Sequence, residues 1–302
     1  MNKKYSFSSY FKKANFLSLL IFTICLSFIS FKGLNYGIDF KGGTLIELRV
    51  INENIKISDI RSILKNNILG DVNIKEFGKK GDYLIKIEQT VKNNKNLILD
   101  LKKTIKQNLQ SEVNFRRVEN VGPKVSKELL KSGIIAIALS LAAMLFYIWI
   151  RFEWQFSLGS IVALFHDVGI TVGIFSILSI EVNLSIIAAV LTIVGYSMND
   201  TVVIYDRIRE NLFKYNSLNI NEIANISINE TLSRTLITSI TTLLALLAIF
   251  ILGGEILKGF SFAMILGVLI GTYSSIFVAA PILRYLKVSY RTMEKKEENI
   301  VP

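Results

Sequence analysis

In the run 194-VGYSMNDTVVIYDRIREN-211 a carboxylate, Asp200, sits with Asn199 inside an apolar stretch that resumes at Val202, Val203 and Ile204. A bare carboxylate in hydrocarbon costs about 2.5–3.5 kcal/mol on insertion scales. Asp200 is therefore expected to face a protein interior, to have a partner, or to carry a proton for part of the time. On a helix Ser197, Asp200, Thr201 and Ile204 share one face, so the acid has hydroxyl neighbours. Burial favours the neutral acid and a nearby cation favours the carboxylate. An acid held between these two effects can load and release a proton near neutral pH. The plainer role is a hydrogen bond between helices.

Other residues could take part in the same chemistry. Arg234 opens an apolar segment in 229-NETLSRTLITS-239 and would reach Asp200 if the two segments are neighbours. Alternatively, it extends its guanidinium to the lipid headgroups. His166 and Asp167 lie mid-way along a third apolar segment. Adjacent helical residues point about 100° apart, so the two cannot share one partner and are expected to face different helices. They fit either a proton relay or interhelical polar contacts. Ser239, Thr241 and Thr242 supply hydroxyls within a packed bundle, and Ala263, Gly267, Gly271, Ser275 and Ala279 form a ridge of small residues that lets another helix come close.

Composition excludes much other chemistry. The 302 residues are 51% hydrophobic with net charge +11. No phosphate-binding glycine loop, dinucleotide fingerprint, nucleophile elbow or Cys/His metal spacing occurs. His166 is the one histidine and Cys25 the one cysteine, which rules out a chain-internal His cluster and an intrachain disulfide. Cys25 reads as a small core residue. Neither a cofactor nor a bound metal is expected, and the chain is not expected to be an enzyme. The basic excess is explained by anionic lipid rather than by nucleic acid.

These groups must be positioned by membrane helices. Six apolar segments emerge, at 14–31, 134–150, 156–180, 182–205, 235–252 and 259–283, each long enough to span or nearly span a bilayer. Basic residues cluster in alternate segments: Lys3, Lys4, Lys12 and Lys13 in the tail 1–13; Arg151; Arg207, Arg209, Lys214 and Arg234; and Arg284, Lys287, Arg291, Lys295 and Lys296 in the tail 284–302. The positive-inside rule then puts both termini in the cytoplasm. The first segment has a basic start like a signal peptide, but its 18 apolar residues lack a clear small-x-small cleavage site, which favours a retained anchor.

Residues 32–132 then lie outside, between the first span and the spans of 133–283. Alternation in 44-TLIELRV-50, a helix capped by Ser58, strands at 72–77 and 83–88 joined by a hairpin at Gly78 and Gly81, a helical stripe through Leu97, Leu101, Ile105 and Leu109, and a strand at 113–118 give β-α-β-β-α-β. This is the split βαβ, ferredoxin-like arrangement of a small α+β domain. Two glycine-bearing joints flank it. The first, 37-GIDFKGG-43, has Gly37, Asp39, Gly42 and Gly43; the second, 121-VGPKVSKELLKSG-133, has Gly122 and Pro123. The second reads as a short amphipathic helix at the membrane surface leading into the second span.

In 37-GIDFKGG-43, 121-VGPKVSKELL-130, 163-ALFHDVGITVGIFS-176, 194-VGYSMNDTVVIYDRIREN-211 and 229-NETLSRTLITSITTLL-244 the chain resembles the SecD/SecF family of protein-export membrane proteins. The resemblance covers about residues 33–290, with Ser126 where Gly is usual and Met198 where Ile or Val is usual. It implies six membrane helices forming half of an RND-superfamily bundle. It further implies a SecD partner supplying the other half, and work beside the SecYEG translocon after SecA has pushed a preprotein across, with YajC and YidC as further partners. Proton flow, or Na⁺ flow in some relatives, would move the periplasmic domains that hold the unfolded preprotein. Asp200 corresponds to the family's essential intramembrane acid and Arg234 to its basic residue on the fifth span.

Other classes of function would use the same residues differently. A half-size RND-type transporter of lipid or small molecules would not copurify with SecD and SecYEG. A passive scaffold would show no ion flux that depends on Asp200. An intramembrane enzyme would need a nucleophile–base pair, which the chain lacks.

Overall fold

The computed structural model describes residues 5–52, 55–65, 72–87, 97–109, 111–290 and 292. A 3₁₀ turn at Phe7–Ser9 is followed by α1 (Phe11–Lys32), β1 (Asn35–Tyr36), α2 (Ile38–Lys41), β2 (Gly43–Val50), α3 (Ile57–Lys65), β3 (Val72–Glu76) and β4 (Asp82–Ile87). Next come α4 (Leu97–Asn108), β5 (Val113–Val121), α5 (Pro123–Arg151), α6 (Trp154–Leu178), β6 (Glu181–Val182), α7 (Leu184–Lys214) and α8 (Ile220–Leu252). The chain ends with α9 (Gly254–Ser274), a π turn at Ser275–Ala279 and α10 (Ala280–Tyr285). The α/β unit is Tyr36–Ile135 with Glu181–Leu184, and the rest forms a helical unit.

In the α/β unit the sheet order is β3-β4-β2-β5, with every neighbouring pair antiparallel. This is the arrangement expected from the alternating strands. Ile46, Leu48 and Val50 of β2 join Ile74, Tyr83, Ile85 and Ile87 on one face of the sheet, where Ile60 and Leu64 of α3 and Ile105 of α4 cover them. The helix start differs from the expected Ser58 cap. Asp59 takes that role, its Oδ2 accepting the Lys56 N–H at 2.9 Å, while the Ser58 hydroxyl only donates to Asp59 Oδ1 at 3.2 Å. Ser58 already lies inside the first turn of α3, whereas Asp59, at its third position, can reach back to the N–H of the residue before the helix.

The first glycine-bearing joint is a helical turn, α2, closed by Gly42 at φ 82° and Gly43 at φ 146°. A side chain at Gly43 would meet the Ile87 carbonyl oxygen at 2.6 Å, so the joint needs glycine both for its backbone angles and for its closeness to β4. Gly37 has ordinary extended angles; its N–H donates to the Val182 carbonyl at 2.8 Å. Asp39 Oδ2 accepts the Leu184 N–H at 2.9 Å.

Among the described residues six helices are long and apolar enough to cross a membrane. The expected separate surface helix before the second span is instead the first part of one continuous helix, α5. Pro123 starts it, where its missing N–H is not needed. Gly133 costs the helix interior about 1 kcal/mol without breaking it. The fifth span likewise begins far ahead of its apolar run, at Ile220. There Asn219 and Glu222 form a capping box: Asn219 accepts from the N–H groups of Asn221 and Glu222, and Glu222 accepts from Asn219 N–H. Far more of α6, α7 and Leu257–Tyr285 is buried than of α1, α5 and α8, so those three form the interior. Cys25 is buried on α1, and a side chain at Gly173 of α6 would collide with it.

Candidate functional site

The interior helices α6, α7 and α9 carry the buried acids. Asp200 on α7 is 4% exposed. Its Oδ2 accepts a long hydrogen bond from Thr272 Oγ1 of α9 at 3.4 Å, and Thr272 Oγ1 is 2.7 Å from Ser239 Oγ of α8. One acid is thus tied into three helices through two hydroxyls.

Asp167 on α6 is 0% exposed. Its Oδ2 accepts from Ser197 Oγ of α7 at 2.5 Å and from Ser274 Oγ of α9 at 2.6 Å. Its Oδ1 is 2.8 Å from His166 Nδ1. The two neighbours do face different helices, since the His166 ring also stacks on Phe22 of α1 at 6.1 Å. The imidazole also bonds Asp167, so the two neighbours touch each other while facing different helices. His166 Nε2 is buried and has no hydrogen-bond partner among the described residues.

The expected hydroxyl neighbours of Asp200 are rearranged. Ser197 is used by Asp167, and Thr201 donates to the Ser197 carbonyl at 3.2 Å. Asn199 is exposed, on the side of α7 away from the buried acids. Arg234 is on the exposed side of α8. Among the described residues the side-chain contact of Asp200 is with Thr272, not with Arg234. Gly37, Asp39, Gly42, Gly43, Gly122 and Pro123 all lie in the α/β unit, and none joins this site. Among the described residues no group of His, Cys, Asp and Glu is arranged to hold a metal ion.

Sequence reasoning missed Thr272 and Ser274. Both flank the ridge of small residues on the last span, and that ridge accounts for their positions. A side chain at Gly267 would meet Ile193 at 2.3 Å, and one at Gly271 would meet Ser197 at 3.1 Å, so α9 lies directly against α7. The polar run 272-TYSS-275 in an otherwise apolar segment was the available signal. The π turn just after it precedes Pro281, which has no N–H to donate and whose ring crowds the carbonyl four residues earlier. Within this turn the Ala279 carbonyl accepts from the buried Tyr205 hydroxyl at 2.8 Å.

Residues 101–289 match the family described as protein export membrane protein SecD/SecF, C-terminal, and residues 27–50 match the SecD/SecF GG motif. The chain belongs to the SecD/SecF protein-export family. The protein translocase subunit SecF of Rickettsia bellii (strain OSU 85-389) is 47% identical over 280 residues, covering 90% of each chain. That of Cereibacter sphaeroides is 44% identical over 265 residues, covering 85% of this chain and 81% of the relative. The crystal structure of SecDF from Thermus thermophilus, a translocon-associated membrane protein, superposes with TM-score 0.84 at 34% identity. The match covers 95% of this chain and 39% of SecDF, so this chain spans about two fifths of that longer protein. A second SecDF structure, in a super-membrane-facing form, gives TM-score 0.70 at 33% identity over 100% of this chain and 41% of SecDF. This SecF-family chain is a multi-pass membrane protein and a protein translocase subunit.

Proposed function

We propose that this chain is the SecF half of an ion-driven export motor in the bacterial cytoplasmic membrane, and that Asp200 is the group the ion loads. The observation that carries this reading is the setting of Asp200: buried on an interior helix, contacted by a neutral hydroxyl rather than by a cation. A carboxylate held that way has no fixed counter-charge, so it can gain and lose a proton. Arg234 is on the exposed side of α8, and a movement of α8 against α7 that brought its guanidinium closer would favour the charged form of Asp200.

The basic residues of alternate segments put both termini in the cytoplasm and residues 32–132 in the periplasm. SecD, the other half of the SecDF proteins that this chain matches over two fifths of their length, is the partner. Together they would act beside SecYEG, after SecA and with YajC and YidC, on an unfolded preprotein emerging outside. One charge crossing the membrane gains about 2.3 kcal/mol per 100 mV, enough to bias a hinge at 37-GIDFKGG-43 and 121-VGP-123 without a nucleotide site on this chain.

Asp200→Asn in the SecD-containing complex is expected to abolish proton-dependent late export and to leave assembly with SecD intact. Export at the normal rate in that variant would contradict the proposal.

A further inference from the structure

A buried acid that loads an ion from one side must empty to the other. We infer that the proton leaves Asp200 along a file of hydroxyls on α8, with Thr235 as its middle step. This rests on the reading of Asp200 under Proposed function.

Every fourth residue of α8 from Ser227 carries a hydroxyl: Ser227, Thr231, Thr235 and Ser239, all of them buried. Residues four apart lie on one side of a helix. At the upper end Ser239 meets Thr272, which donates to Asp200. At the lower end the Asn211 amide donates to Ser227 Oγ at 3.0 Å and to Glu230 Oε2 at 2.7 Å. The Glu230 side chain is 32% exposed and paired with Arg207. The Asn211 nitrogen donates to both Ser227 and Glu230 and cannot accept a proton, so the exit runs instead from Thr231 through water to Glu230, its neighbour in the chain and a carboxylate in contact with solvent. In the proposed orientation that end is cytoplasmic.

Thr235 differs from the other threonines of this helix. A helical threonine ordinarily bonds the carbonyl three or four residues back, and Thr231, Thr238, Thr241 and Thr242 all do so. Thr235 is 1% exposed, and its Oγ1 has no hydrogen-bond partner among the described residues. Its hydroxyl is thus held free in the interior, midway along the file. One helical turn separates it from Thr231 and another from Ser239, a rise of about 6 Å each. A single water with two hydrogen bonds of about 2.8 Å spans such a gap. One water on each side of Thr235, together with the water at the exit, would complete a proton path. The charged groups beside the path are Asp200 above, Arg207 and Glu230 below, and Arg234 on the exposed side of α8; α9 carries none between Lys258 and Arg284.

The test measures proton flux through the reconstituted complex with SecD in lipid vesicles loaded with a pH dye, together with the melting temperature of the purified complex. Thr235→Val keeps the shape and removes the hydroxyl; it is expected to slow flux by about tenfold, the rate equivalent of one lost hydrogen bond in the path. Thr235→Ser should recover most of the rate, and Thr235→Ala, which leaves room for water, should fall between Val and Ser. A packing role predicts the reverse order, with Val close to wild type and Ala worst in both flux and melting; that result would overturn the path. If the Val variant does not assemble, Ser239→Ala decides: slowed flux supports the path and wild-type flux overturns it. Asp200→Asn is measured in parallel. Flux that survives it defeats the reading of Asp200 itself, whereas flux lost there but intact in Thr235→Val defeats only the path.

Discussion

Both units of the molecule bury carboxylates, but they hold them differently. In the α/β unit Asp82 of β4 takes a two-pronged contact from Arg49, at 2.7 Å and 2.8 Å, and a third from Arg116 at 3.3 Å. In the helical unit Asp200 meets Thr272, and Asp167 meets Ser197, Ser274 and His166. A guanidinium fork fixes a carboxylate in its charged form, because protonation would leave two cations unmatched. Hydroxyls can donate to the charged form and accept from the neutral one, so they tolerate either state. The ion pairs of the α/β unit are structural, and under the function proposed above the hydroxyl-bound Asp200 is the acid that changes charge.

The apolar residues show the same inversion. Ile46, Leu48, Ile60, Leu64, Ile85 and Ile105 are hidden in the α/β unit, while Leu139, Phe146, Trp149 and Ile150 of α5 are exposed. A soluble fold gathers such residues away from water. A bilayer removes that drive, and close packing with hydrogen bonds holds the helices instead.

The largest effect expected from this contrast is in the apolar core. Ile85→Ala should destabilise the α/β unit by about 2–5 kcal/mol, read as lost amide-exchange protection in β2 and β4 with that of α7 unchanged. Next is Asp82→Asn. It leaves Arg49 and Arg116 without their shared anion; because both are partly exposed, the loss should be about 2 kcal/mol, again confined to the sheet. The smallest is Asp167→Asn. An amide can still accept from Ser197 or Ser274, so the helical unit should lose only about 0.6–1.7 kcal/mol in detergent unfolding. A greater loss at Asp167 than at Asp82 would break the distinction between fixed and adaptable acids.

Much of this was legible in advance. The apolar runs give six spans because a bilayer needs length and little else, and alternation at Ile46, Leu48 and Val50 or at Tyr83, Ile85 and Ile87 marks a one-sided strand. The acids at 167 and 200 stood out because any carboxylate in such a run needs a reason. Helix ends were less legible. α5 and α8 run on into polar sequence because Lys and Glu there form helix as readily as the apolar residues do, and nothing local marks where lipid stops.

The residue types and their periods determined by themselves which segments cross the membrane, how the small sheet is built and which acids are out of place. Which hydroxyl meets which acid was decided only by the tertiary structure. Thr272 lies 72 positions from Asp200 and Ser274 lies 107 from Asp167, and helical periodicity describes a face without naming what packs on it. The choice rests on how closely α9 can approach α7, which is set by the missing side chains at Gly267 and Gly271.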